Sequence, residues 1–259
     1  MRARTAAAVV VGCAALALTA CSPATSADTS AGPGASGSPE SGTVTVLAAA
    51  SLTEPLTALA QQYEQDHPGV TVRLGFGSST TLAQQIAEGA PADLYASAGE
   101  AALDLLPADA RGDTTPIARN TVEIATPPDD PGHVASVEDL ADPDLDVVLC
   151  AQSVPCGAAA DEVLHRAGVT PHVVSREVDV KATLTKVTLG EADAALVYHS
   201  DVVGAGDAVR GVEVPADDNV VLTYPLVRLA DRPEVTAFAG LLTSPAGEQA
   251  LTAAGFLAP

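Results

Sequence analysis

Four stretches of this chain place small, hydroxyl-bearing or N-capping residues where an extended run gives way to helical spacing. In Ala50-Ser51-Leu52-Thr53-Glu54 a Ser is followed three residues later by Glu. That spacing reads as a capping box with Ser51 at the N-cap. Gly77-Ser78-Ser79-Thr80-Thr81 is rich in hydroxyls, and its Gly lets backbone approach a ligand closely. Val154-Pro155-Cys156-Gly157 puts Pro where a helix starts, and Asp179-Val180-Lys181 offers Asp179 as an N-cap. The N–H groups of a first helical turn have no partners within the helix and carry the positive end of its dipole. Each junction is therefore suited to holding an anion. One such junction starts a helix in any α/β protein. Four together predict a cleft in which neutral donors hold an anion.

Other chemistries fit these residues less well. Ser51 or Ser79 with His199 and Asp201 has the composition of a serine-hydrolase triad, but there is no Gly-x-Ser-x-Gly elbow. His199 follows Tyr198 on an extended run, so strand alternation points the two side chains apart. His165 and His172 with a Cys could bind zinc but lack the usual ligand spacing. Ferric iron calls for clustered Tyr or carboxylates, and the chain has four Tyr. Phosphate calls for a carboxylate to accept its proton, and no candidate is obvious.

The elements that must position these junctions alternate. Thr43 to Leu47 is a strand, and Leu52, Leu56, Leu59 and Tyr63 recur at helical spacing up to Pro68. Val70 to Phe76 alternates as a strand, Leu82 and Ile86 mark a short helix closed by Gly89, and Asp93 to Ser97 is a strand. A second run begins with a strand at Val122 and Ile124 and a small helix opened by Ser136 to Asp139. A buried strand follows at Val147 to Cys150, then a helix from about Gly157 to Gly168. Next come a strand at Val173, a helix over Val180 to Val187 closed by Gly190, and a strand from Ala194 to Tyr198. Val220 to Leu229 is extended, and two helices near 234–242 and 246–254 finish the chain.

This rhythm predicts an α/β fold of two lobes, each a mostly parallel sheet flanked by helices, with the ligand cleft between them. The expected boundaries are residues 43–121 plus 224–259 for the first lobe and 122–223 for the second, with crossings near 120–125 and 220–226. No internal repeat is evident in the sequence.

Composition places the chain outside the cytoplasm. Arg2 and Arg4 precede an apolar run from Ala6 to Ala20 that is too short to span a bilayer, the pattern of a signal peptide over residues 1–20. Leu18-Thr19-Ala20-Cys21 resembles the lipobox of bacterial lipoproteins, which makes Cys21 the expected lipidation site and implies a membrane anchor. Residues 21–42 are rich in Ser, Gly, Pro and Thr and read as a flexible tether. In an oxidising compartment, Cys150 and Cys156 can form a disulfide or remain two small buried residues. The formal net charge of −21 argues against nucleic acid and requires local dipoles to hold any anion against the overall field.

The segment from Val44 through Ser97 resembles the periplasmic molybdate-binding proteins of ABC importers. The likeness is carried by Ala48-Ala-Ala-Ser51-Leu-Thr, Phe76-Gly-Ser-Ser-Thr-Thr-Leu-Ala-Gln-Gln-Ile86 and Gly89-Ala-Pro-Ala-Asp-Leu94. Val154-Pro155-Cys156-Gly157, Glu177-Val-Asp-Val180-Lys, Leu196-Val-Tyr198-His-Ser-Asp201 and Ser244-Pro-Ala-Gly-Glu-Gln-Ala250 continue it in order. The resemblance implies a non-enzymatic monomer that binds molybdate or tungstate without a cofactor and delivers it to a membrane permease. It also implies that no residue coordinates the metal directly. Ser51 and Ser79 would each donate a hydroxyl and a backbone N–H, Cys156 and Val180 backbone N–H groups, and Tyr198 its hydroxyl. Cys156 stands where the family often has Ala, a change that leaves a backbone donor intact. Sulfate, phosphate and ferric iron remain the alternative ligands of such a fold.

Overall fold

The computed structural model describes residues 41–259. The signal peptide, Cys21 and the tether up to residue 40 lie outside the described residues. Among the described residues, no helix is long and apolar enough to cross a membrane.

The first lobe opens with β1 (Gly42–Ala49), α1 (Thr53–Asp66), β2 (Val70–Gly77), α2 (Ser79–Ala87) and β3 (Leu94–Ala96). β1 lies between β2 and β3 and is parallel to both. Its alternate residues Val44, Val46 and Ala48 are fully buried and the ones between are half-buried. That is the pattern of a parallel strand covered on both faces. α1 packs on β2 and α2 on β1. β1 starts at Gly42, so the strand includes a residue expected to belong to the tether.

The chain crosses to the second lobe along β4 (Thr114–Thr126), a strand of 13 residues. From Thr114 to Thr121 it pairs antiparallel with β9 (Val221–Arg228); from Val122 it pairs instead with β7 (Ala194–Tyr198) and, from Glu123, with β8 (Arg210–Glu213). β4 therefore belongs to the sheets of both lobes, and its partner changes between Thr121 and Val122. β9 is beside β4 from Val221 onward, ahead of the boundary expected at residue 224.

The second lobe is built from β5 (Val147–Cys150), α3 (Pro155–Ala167), β6 (Val173–Glu177), α4 (Val180–Thr188) and β7. β5 is parallel to β6 and β7 and lies between them, as β1 lies between β2 and β3. The two lobes thus repeat one β-α-β-α-β arrangement with the same strand order, although their sequences show no repeat. A helix α5 (His199–Ala205) and the strand β8, neither legible from periodicity, follow β7. α6 (Pro233–Leu242) then packs on β1 and β9, and α7 (Pro245–Ala253) on α1 and β4. Phe238 of α6 meets the Tyr63 ring of α1 edge-on, with centroids 5.1 Å apart. Burying each such side chain contributes about 1.5–3 kcal/mol.

Cys150 and Cys156 are joined by a disulfide that ties the end of β5 to the first turn of α3. α3 closes on Gly168, whose positive φ of 69° suits a residue without a Cβ.

Candidate functional site

Every strand-to-helix junction singled out in the sequence opens on one cavity. It is lined by Ala49 to Ser51 after β1, Gly77 to Ser79 after β2, Val154 to Cys156 after β5, and Asp179 and Val180 after β6, with Tyr198 at the end of β7. Both lobes therefore wall it from the carboxyl ends of their parallel strands, the usual location for ligands in open α/β sheets. The cavity offers about 20 Å³ to the centre of a water-sized sphere. One water needs roughly 10–15 Å³ on that measure, so the space suits one small, compact ligand.

The helix starts leave backbone donors free for it. In α3, Pro155 has no N–H, and the N–H groups of Gly157 and Ala158 both donate to the Val154 carbonyl. The N–H of Cys156 is thus the unpaired donor of that turn. In α4, Asp179 caps by accepting from the Ala182 N–H at 2.9 Å, and Thr183 N–H donates to the Asp179 carbonyl. Val180, at the first helical position, has no partner within the helix. α2 begins at Ser79, whose carbonyl accepts from the Tyr95 hydroxyl at 2.7 Å and whose Oγ accepts from Ala98 N–H at 2.9 Å. With those acceptors in use, the Ser79 hydroxyl proton is available to the cavity. Burial pushes the pKa of Tyr95 up to about 12, so it remains a donor at neutral pH.

The first junction differs from the expected capping box. Residues Ala50–Leu52 form a single 3-10 turn before α1, and the Ser51 side chain makes no cap. Ser51 Oγ lies instead 3.0 Å from the Tyr224 hydroxyl, and Thr53 Oγ1 donates to the Ala50 carbonyl. Glu54, the expected second half of the box, reaches across to Lys181 Nζ at 2.8 Å. The 3-10 turn leaves Ser51 Oγ within reach of Tyr224 on β9, a strand separated from β1 by β3.

Two hydroxyls on this cavity, Ser78 Oγ and Tyr198 Oη, are buried without a hydrogen-bond partner. Leaving a polar group so costs about 1–3 kcal/mol, which a ligand oxygen would recover. Burial is the main cause holding the pKa of Tyr198 well above the usual range, with Tyr224 and Asp201 reinforcing it, so Tyr198 is a neutral donor.

No Lys or Arg lines the cavity. Lys181, beside Val180, turns away to Glu54 of the first lobe and to the buried Asp201, 3.2 Å distant. Desolvation pulls its pKa down, but the two carboxylates outweigh it and the net shift is upward. Asp201 is raised to about 6, chiefly by burial, with Lys181 opposing. Its other oxygen accepts from the Tyr198 N–H at 3.3 Å and so fixes the start of α5. Asp179 is the one carboxylate on the cavity wall.

The structure thus brings Ser51, Ser79, Cys156, Val180 and Tyr198 to one wall-to-wall site. It does not assemble the other constellations. His199 lies 2.5 Å from Glu123 on a separate cavity, away from Ser51 and Ser79, so the hydrolase arrangement is absent. Both cysteines of the second lobe are in the disulfide, and among the described residues no group of three or more His, Cys, Asp or Glu could hold a metal ion. Sequence reasoning overlooked Ser78 and Tyr224. Ser78 stood beside the better motif match. Tyr224 lies 173 residues from the Ser51 it contacts, and only its place next to Pro225 on the returning strand marks it.

The family model of bacterial extracellular solute-binding proteins matches residues 44–257. The molybdate-binding protein ModA of Mycobacterium tuberculosis H37Rv is 36% identical over 221 residues, covering 83% of this chain and 85% of the relative. ModA of Escherichia coli K12 is 31% identical over 236 residues, covering 84% and 90%. Among solved structures, the periplasmic molybdate-binding protein of Azotobacter vinelandii superposes with a TM-score of 0.74 at 21% identity. It spans 83% of this chain and 99% of the other, a likeness of fold.

Proposed function

Because this chain belongs to the bacterial extracellular solute-binding proteins, we propose that it captures molybdate, or its congener tungstate, in the interlobe cleft and passes it to the membrane permease of an ABC importer. The observation that carries this reading is the donor set of the cavity. Helix-start N–H groups from both lobes and buried hydroxyls without protein partners converge on a space for one compact ion. The relatives whose names record molybdate binding narrow the ion class.

In this reading Ser51 and Ser79 donate hydroxyl and backbone N–H, Cys156 and Val180 donate N–H, and Tyr198 donates its hydroxyl. Ser78 joins them through its partnerless Oγ. A dianion stripped of water needs each oxygen satisfied, and oriented dipoles achieve this without a fixed cation that would accept any anion. A larger tetrahedron fills the cavity and reaches donors on both walls, whereas sulfate leaves some of them out of reach. The protein works outside the cytoplasm, tethered as a monomer through lipidated Cys21, with residues 42–121 and 221–259 as one lobe and 122–220 as the other.

Thermal denaturation with molybdate, tungstate, sulfate and phosphate tests the reading. A ligand bound only by the folded state at a hundred times its Kd adds about 2.7 kcal/mol of stability. Molybdate and tungstate should raise the melting temperature. A shift with sulfate or phosphate alone would replace the ligand, and no shift with any of the four would reject an oxyanion site.

A further inference from the structure

Behind Ser51, and outside the cavity lining, lies a chain of buried side chains. Tyr224 stands on β9 and Asn120 on β4, the two strands that join the lobes. Both are fully buried. Tyr224 Oη lies 3.0 Å from Ser51 Oγ and 3.4 Å from Asn120 Nδ2, and the same Nδ2 donates to Ser200 Oγ at 2.8 Å. The ring of Tyr224 is held edge-on by Phe256, with centroids 5.2 Å apart, and by Tyr198 at 6.2 Å.

The direction of each hydrogen bond follows from what each group can do. Asn120 Oδ1 accepts from Thr121 N–H at 3.0 Å and faces Ser200 N–H at 3.5 Å. Backbone N–H groups only donate, so the carboxamide oxygen must face them and Nδ2 must face Tyr224 and Ser200. Nδ2 in turn only donates, so the Tyr224 oxygen accepts from it. The phenol proton then has Ser51 Oγ as its acceptor, since the reverse polarity would leave a buried phenol proton with nowhere to go. With one Ser51 Oγ lone pair accepting from Tyr224, the Ser51 proton is left free for the cavity that Ser51 lines. Burial raises the pKa of Tyr224, which keeps the phenol protonated.

We propose that Tyr224, oriented by Asn120, is a positioning residue that fixes the Ser51 hydroxyl as a donor to the bound oxyanion. The inference rests on the oxyanion reading of the cavity. Its physical content is preorganisation: a hydroxyl already turned toward the ligand loses no rotational freedom on binding and cannot present its lone pair to the anion. It also makes β4, the strand shared by the two lobes, part of the binding machinery, because Asn120 Nδ2 serves Tyr224 and the second-lobe Ser200 at once.

The test is a double-mutant cycle on molybdate affinity, measured by calorimetry for the wild type, Tyr224→Phe, Ser51→Ala and the double variant. Tyr224→Phe keeps the ring and its packing and removes only the hydroxyl. The single change should weaken binding roughly tenfold, the net worth of one hydrogen bond. In the Ser51→Ala background the same change should have no further effect, since the group it positions is gone. Unchanged affinity in Tyr224→Phe, or equal losses in both backgrounds, would overturn the proposal, the second outcome marking Tyr224 as merely structural. If Tyr224→Phe gives no folded protein by circular dichroism, Asn120→Ala paired with Ser51→Ala runs the same cycle, with the same two outcomes decisive. A wild-type protein that binds none of molybdate, tungstate, sulfate and phosphate removes the oxyanion reading itself; a wild type that binds with an additive cycle removes only the role of Tyr224.

Discussion

Replacing Tyr198 by Phe should change ligand affinity and ligand-free stability in opposite directions. The hydroxyl of Tyr198 is buried, lines the cavity and has no hydrogen-bond partner in the protein. Its ring packs edge-on against Tyr224 at 6.2 Å, a contact that Phe preserves. A hydrogen bond to a charged group is worth about 1.5–3 kcal/mol net, so losing it should weaken molybdate binding by between roughly tenfold and a hundredfold. Without ligand, the wild type carries the cost of a polar atom that only water can satisfy, and Phe does not. The variant should therefore unfold at equal or higher urea, by at most about 1 kcal/mol. Calorimetric titration gives the first quantity and equilibrium urea denaturation the second. Undiminished affinity would refute the donor role. A loss of ligand-free stability comparable to the loss of affinity would show that the hydroxyl serves packing instead of binding.

Three further outcomes follow from the same geometry. The folded-state pKa of Asp201, raised from 3.8 to about 6, means that the native protein takes up this proton before the unfolded chain does. Its contribution to stability therefore grows as pH falls through 6 toward 4, by up to ~3 kcal/mol, and Asp201→Asn should remove that part of the urea-midpoint profile; a profile unchanged by the substitution would contradict the assignment. Glu54→Gln breaks the ion pair to Lys181 between the lobes, but with half of the Glu54 side chain exposed the pair is worth little. Molybdate affinity should fall by less than about 1 kcal/mol, and less still at high salt, and a larger, salt-independent loss would show that the cleft is held by more than charge. Reducing the Cys150–Cys156 disulfide, which closes a loop of six residues, should cost about 2 kcal/mol of stability by chain-entropy reasoning. An unchanged urea midpoint in reductant, with free thiols verified, would contradict that value.

What the sequence made legible was local. Alternation and helical spacing located the strands and helices that carry the site, because the edge strands β2 and β6 alternate covered with exposed residues and the helices bury one stripe. Pro155 and Asp179 marked true helix starts, since a missing N–H and a capping carboxylate act within one turn. What it hid was long-range. Ser51 and Glu54 have the spacing of a capping box, yet their partners lie 173 and 127 residues away, and tertiary geometry overrode the local pattern. The short α5, a Val-Val-Gly-Ala helix of low propensity, depends on Asp201 accepting from the Tyr198 N–H, a contact with no periodic signature. The matching topology of the two lobes was equally invisible. Strand order depends on the side to which each β-α-β crossover returns along the sheet, which periodicity does not encode.

In the proposed function, neutral donors from both lobes close on one tetrahedral oxyanion. Calorimetric titration of the purified protein with molybdate, repeated in excess sulfate, tests it most directly. Saturable binding of one ion per chain that sulfate does not displace is the expected result. Absence of binding, or binding abolished by sulfate, would contradict it.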